Sequence, residues 1–179
     1  IEENESQFLQ QAFKNAMYDW IEHHPLTKGL INFTDQSINA LLALRSSADK
    51  EYSTLDESDA SNRVPKDLVA WLYQDTDLYE PLMALSTSWI DLPHKVDGVK
   101  TVRTHMYAPM GSGLCFPVMS TVHWALCRAI LSYSQGCDAA SKEVYVYGDD
   151  IILRTEGYQA ILDWLPRFGM KINETKSFS

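Results

Sequence analysis

Two acids stand side by side at Asp149-Asp150, preceded by Gly148 and flanked by the apolar runs Val144-Tyr145-Val146-Tyr147 and Ile151-Ile152-Leu153. Two strands joined by so short a connection form a tight hairpin with both carboxylates at its tip. Like charges that close oppose each other's ionisation unless a cation lies between them. A second acidic stretch, Ser53-Thr54-Leu55-Asp56-Glu57-Ser58-Asp59, ends another extended segment earlier in the chain. A fold that lays these strands together assembles Asp56, Asp149 and Asp150, a ligand set suited to paired Mg²⁺ ions in phosphoryl transfer. An isolated Asp-Asp pair is more often a solvated turn, so the rest of the chain has to carry the assignment.

The elements around these acids read as mixed helix and strand, without repeats or low-complexity tracts. Leu9, Phe13, Ala16, Met17, Trp20 and Ile21 recur at helical spacing behind the acidic opening Glu2, Glu3 and Glu5, and His23-His24-Pro25 ends that helix. A second helix is expected from Thr34 or Asp35 as N-cap through Ile38, Leu41, Leu42 and Leu44, followed by a strand over 51–56. Pro65 opens a third helix, residues 78–85 form a fourth, and a hairpin covers 87–92 and 99–106. Residues 114–133 read as a long buried helix, and Ile161, Trp164, Leu165 and Phe168 as one closed by Gly169, with a last strand over 170–172. This order fits a split βαβ, ferredoxin-like α+β fold, with helices covering one face of an antiparallel sheet.

Composition narrows the classes. A chain of 179 residues that is 45% hydrophobic can bury one sizeable core. It has no apolar run of the roughly 18 residues a membrane span needs, so no membrane partner is expected. Cys115, Cys127 and Cys137 are odd in number and lack metal-ligand spacing, which reads as reduced, packed thiols. His105 and His123 also lack partners at such a spacing. The formal net charge of −9 is the wrong sign for a surface that grips phosphates alone.

Five blocks then resemble one family. Tyr147-Gly148-Asp149-Asp150 (147–150) resembles motif C of RNA-directed RNA polymerases, and residues 54–62, Thr54 to Asn62, resemble motif A in its phage form. Met110-Gly111-Ser112-Gly113-Leu114-Cys115-Phe116-Pro117-Val118, within 110–120, resembles motif B, and residues 169–178 resemble motif D. Asp35-Gln36-Ser37-Ile38-Asn39 is similar to a further block. In this order the blocks resemble the replicase catalytic subunits of levivirus-like positive-strand RNA bacteriophages, of which the Qβ replicase β subunit is the type.

The resemblance implies a polymerase palm over 51–179, with 1–50 a helical segment at the fingers–palm junction that contributes flanking finger-derived helices. Because the chain opens on Ile1 and stops at Ser179 inside motif D, it reads as a piece of a longer polypeptide. The implied activity is template-directed nucleotidyl transfer from ribonucleoside triphosphates to an RNA 3′-hydroxyl by two Mg²⁺ ions, with Mn²⁺ as an alternative. Asp56 and Asp149 would hold the ions, with Asp150 more peripheral and the Glu57 carbonyl as a further ligand; the side chains of Glu57, Asp59 and Glu156 read as solvated or structural charges. Gly111, Ser112, Gly113, Ser120, Gly148, Ser61 and Asn62 would meet nucleotide or RNA, and Lys176, or else Lys171, would protonate the departing pyrophosphate. The chain departs from the phage pattern at Asn62, where many members carry an acid, and at Met119, where relatives often have Glu. Implied partners are template and nascent RNA, the host translation elongation factors Tu and Ts and a ribosomal protein, in the cytoplasm of an infected bacterium. The alternatives are a reverse-transcriptase-like palm and a non-catalytic acidic domain that binds a metal ion or a protein.

Overall fold

The apolar triplet Ile151-Ile152-Leu153 is continuous rather than alternating because its strand is central and covered on both sides. In the computed structural model, which describes residues 4–96, 98–109, 111–136 and 143–178, β1 (Tyr52–Leu55), β4 (Val144–Tyr147) and β5 (Asp150–Arg154) form an antiparallel sheet of order β1-β5-β4. Leu55 pairs with Ile151, and Tyr147 with Asp150 across the hairpin turn. Continuing the first register by one residue sets Asp56 opposite Asp150. A separate hairpin joins β2 (Trp89–Val96) to β3 (Val99–Arg103). Met110 of motif B and Cys137 lie outside the described residues; Cys115 and Cys127 are free thiols.

Because side chains alternate along each strand, Leu55, Val144, Val146, Ile151 and Leu153 share one face and enter the main core. That face receives α5 (Cys115–Gln135), against which α6 (Tyr158–Trp164) packs. From α5, Val118, Val122, Cys127, Ile130 and Leu131 are buried in the same cluster. Helix α1 (Asn4–His23) docks on α5, and α3 (Lys66–Tyr73) and α4 (Tyr79–Ala84) complete this layer. The opposite face carries Tyr52, Thr54 and Ile152, and α2 (Ser37–Asp49) lies over it. The fold is thus the expected palm-type α+β arrangement, with α2 as the flanking helix on the second face.

Three expectations change. Helix α2 starts at Ser37 with Gln36 in the cap position, because the Thr34 amide and hydroxyl both donate to Glu22 Oε1, while the Asp35 carboxylate accepts the Ser37 N–H at 2.8 Å. Its leucines do not face the core: Leu41 and Leu44 are 64% and 71% exposed, and Asn39 and Ser46 are buried in their place. Similarly, α1 buries Gln10, Met17 and Ile21 while Leu9 and Trp20 stay exposed. Residues 170–172 form no strand; the terminal segment pairs with β1 and the residues after it through the isolated bridges Thr54↔Phe178 and Glu57↔Ile172. Between these bridges, the Asn173 N–H and the Ser177 hydroxyl take up the Asp56 backbone groups.

Candidate active site

The hairpin turn depends on Gly148. Its φ of 68° lies in the left-handed region, and an added Cβ would stand 2.5 Å from the Phe116 ring. Two side chains one helical turn apart on α5 grip this residue. The Gly148 N–H donates to Ser120 Oγ at 3.1 Å, and the Gly148 carbonyl lies 3.2 Å from His123 Nδ1. A carbonyl only accepts, so His123 carries its proton on Nδ1. Phe116 stacks edge-on against Tyr147, with centroids 5.3 Å apart. Asp149 is exposed at the tip, and Asp150 is half-buried behind it.

Asp150 is also held from the other face. Asn39 Nδ2 donates to its carbonyl at 3.2 Å, and the Gln36 side chain hydrogen-bonds its carboxyl. Burial raises the Asp150 pKa, the Gln36 bond opposes that rise, and the charges of Asp149 and Asp56 add to it. Asp56 and Asp149 are thus near enough for their charges to act on Asp150. The 35–39 block therefore acts on the hairpin itself, since α2 turns its polar end toward the turn.

Asp56, at the end of β1, is fixed by the terminal segment. Its carbonyl accepts the Asn173 N–H at 2.9 Å, its N–H donates to Ser177 Oγ at 3.1 Å, and its Oδ2 accepts from Asn173 Nδ2 at 3.1 Å. Lys176, 68% exposed, brings Nζ to 4.0 Å from the same Oδ2. Sequence reasoning placed motif D here but singled out neither Asn173 nor Ser177. The pairing Asn-x-x-x-Ser beside a strand end was the signal available.

Of the two readings of the Glu57 side chain, solvated or structural, its burial leaves the second. It is 4% exposed, and its Oε2 lies 3.4 Å from Nε2 of the fully buried His123. Burial, then the charge of Asp149, pushes the Glu57 carboxyl up to about 8, with Arg63 opposing and Asp56 adding to the rise. Burial takes His123 down to about 4 against the opposing bond to Gly148. Both groups are therefore neutral near pH 7, and the contact is not an ion pair.

A cleft of about 460 Å³ opens beside Asp149, walled by Asp59, Ala60 and Ser61 from one side and by Gly111, Ser112, Cys115, Phe116 and Met119 from the other. The first turn of α5 thus borders the cleft with the positive end of its dipole, which favours anions. Of the residues expected to meet nucleotide, Ser61, Gly111 and Ser112 line this cleft. Ser112 also serves the turn, its Oγ accepting the Leu114 N–H at 3.3 Å. Asn62 is exposed and outside this wall, whereas Asp59 forms part of it. Gly113 faces α1: its N–H donates to Gln10 Oε1 at 2.9 Å, and a Cβ there would meet Gln11 at 3.1 Å. Ser120 is fully buried against Gly148 and the Phe116 carbonyl, so it shapes the turn instead of touching a ligand.

A family model described as RNA replicase, beta-chain, matches residues 12–179. The chain belongs to this replicase family. It is 32% identical over 148 residues to the RNA-directed RNA polymerase beta chain of Escherichia phage MS2, covering 83% of this chain and 25% of that protein. With the corresponding chain of Enterobacteria phage fr it shares 32% over 149 residues, covering 83% and 26%. The RNA-directed RNA polymerase subunit beta of Escherichia virus Qbeta is also 32% identical over 149 residues, with 83% and 24% covered. The chain therefore spans about a quarter of the length of these relatives. Among solved structures it is similar in fold to apo telomerase from Candida tropicalis truncated of its C-terminal domain (TM-score 0.52, 10% identity, 94% of this chain and 39% of that one). A second likeness is to Candida tropicalis telomerase in complex with a fragment of telomeric RNA (TM-score 0.54, 9% identity, 97% and 33%).

For a replicase palm the donor set is carboxylate oxygen, the chemistry a hard cation prefers. Among the described residues no group of three His, Cys, Asp or Glu side chains is placed to hold a metal ion. A hard divalent cation held by only one or two of these carboxylates would complete its shell with water or phosphate oxygens. Among the described residues no helix is long and apolar enough to cross a membrane.

Proposed function

We propose that this chain is the catalytic palm core of an RNA-directed RNA polymerase of the phage replicase type, extending RNA from ribonucleoside triphosphates on an RNA template. The observation that carries this reading is the meeting of Asp56, at the end of β1, with the Asp149-Asp150 hairpin beside a cleft bordered by the N-terminus of α5. In this reading residues 51–179 are the palm and residues 1–50 the segment that leads into it. Asp56 and Asp149 would hold two Mg²⁺ ions, or Mn²⁺ in their place, with Asp150 more peripheral and the Glu57 carbonyl as a further oxygen; such ions would supply neutralisation of phosphate charge and a lowered pKa for the attacking 3′-hydroxyl.

The chain's own residues do the positioning. Gly148 lets the turn pass the Phe116 ring, and Ser120 and His123 fix its peptide. Ser61 and Ser112 offer hydroxyls to the nucleotide, and Gly111 lets backbone approach it. Lys176 lies close enough to Asp56 to offset its charge, and by resemblance it, or else Lys171, would donate the proton to pyrophosphate. The net charge of −9 leaves the basic lining of the RNA path to other parts of a replicase. By resemblance, those other parts work with elongation factors Tu and Ts and a ribosomal protein in the host cytoplasm.

The test is incorporation of labelled ribonucleotides on a primed RNA template with Mg²⁺, in a replicase polypeptide carrying this sequence and in its Asp149→Asn variant. Loss of synthesis with the fold retained is expected. Synthesis undiminished by the substitution would overturn the reading.

A further inference from the structure

Asp56 is the one carboxylate of the three that is not on the hairpin, and its orientation depends on a neighbour. A carboxylate only accepts hydrogen bonds, so the amide group of Asn173 must turn its Nδ2 toward Asp56 Oδ2, where the distance is 3.1 Å. The Asn173 Oδ1 then faces Thr175, whose hydroxyl donates to it at 2.7 Å. Asp56 sets this orientation, since the hydroxyl could donate or accept, and Thr175 braces the amide in place from its other end. The backbone of the same turn is tied down independently, by Ser177 Oγ donating to the Asn173 carbonyl at 2.9 Å and by the Lys176 N–H donating to it at 3.1 Å. With Lys176 Nζ also directed at Oδ2, Oδ1 is the Asp56 oxygen without a protein partner among the described residues.

We infer that Asn173, braced by Thr175, is a positioning residue that occupies one oxygen of Asp56 and presents the other to the divalent cation. This rests on the palm reading above and extends it to residues that touch neither substrate nor metal. Outer partners of this kind hold a ligating carboxylate in its productive rotamer, and losing one typically weakens metal binding by about 10–100-fold. Thr175 is the more informative position, because it is exposed and its substitution leaves the core and all backbone ties intact.

The experiment measures Mn²⁺ binding by electron paramagnetic resonance, without nucleotide or RNA, in a replicase polypeptide carrying this sequence; the Mn²⁺ concentration giving half-maximal ribonucleotide incorporation is measured alongside. Asn173→Ala should weaken Mn²⁺ binding about tenfold or more, and Thr175→Val by a smaller factor in the same direction. Thr175→Ser, which keeps the hydroxyl, should restore wild-type binding, and all three should melt like wild type within a few degrees. Asp56→Asn is the reference. If it abolishes binding and synthesis while Asn173→Ala and Thr175→Val bind Mn²⁺ as wild type does, the inference is overturned and the palm reading stands. If Asp56→Asn itself changes neither binding nor synthesis, both fail.

Discussion

The two halves of the acidic centre are mounted differently. The Asp149-Asp150 half sits on a hairpin whose turn is gripped from α5 by Ser120 and His123, both fully buried, and from α2 by Asn39. The Asp56 half is the free end of a short strand, held by a terminal turn in which Thr175 and Lys176 are exposed. A buried grip fixes a peptide plane against the core; a surface latch fixes one carboxylate rotamer and can open without disturbing the core. The difference suits a site in which one pair of acids stays in place while the third is adjusted to the cation and nucleotide.

Substitutions can break or sharpen this contrast. The largest effect is expected from Asp149→Asn, which should reduce ribonucleotide incorporation on the order of 100-fold or more in a primed-template assay. Next, Gly148→Ala should cost about 2–4 kcal/mol in denaturant unfolding, because it combines a left-handed backbone with a clash against Phe116. Ser120→Ala, which orphans a buried N–H, should cost about 1–3 kcal/mol, and Thr175→Ala at the exposed part of the latch about 1 kcal/mol or less. Equal costs for these two substitutions would erase the distinction between grip and latch.

The smallest effect is a pH dependence. Glu57 titrates near 8 when folded and near the ordinary carboxylate value when unfolded, so the folded state holds a proton that the unfolded state releases, and stability falls as pH rises through this interval. His123, lowered to about 4, acts oppositely below its ordinary value, costing stability as pH falls. The two partly cancel in mild acid. Between about pH 6.5 and 8 only Glu57 contributes. In the presence of a chelator, melting temperature should decline over that interval in the wild type, and the decline should be smaller in Glu57→Gln.

Much of this was legible in the sequence. The alternation in 144–147, the apolar run after Asp150 and the proline before α3 specify local structure directly, and α5 declares itself by length and apolar content. The reading failed where inward faces are polar. In α2 the leucines point outward because Asn39 and Ser46 hydrogen-bond to the sheet region, Asn39 to Asp150 and Ser46 to the Tyr52 N–H; a rule that seeks apolar periodicity cannot see such a face. Ser120 and Gly113 carry the right residue types for a ligand contact, and only packing reveals that one faces Gly148 and the other Gln10. His123 has no partner at any recognisable spacing because its partners, Gly148 and Glu57, come from distant segments.

The ties on Gly148 span 25 and 28 residues, whereas the side-chain ties on Asp56 span 117 and 121. Closing the longer loops costs more chain entropy and comes later in folding. As the chain leaves a ribosome, α5 and the hairpin can therefore form a finished turn with its paired acids while Asp56 still lacks its latch. The centre is completed only when residues 173–177 have emerged, so a nascent chain truncated before them holds two of its three carboxylates in place and cannot yet orient the third.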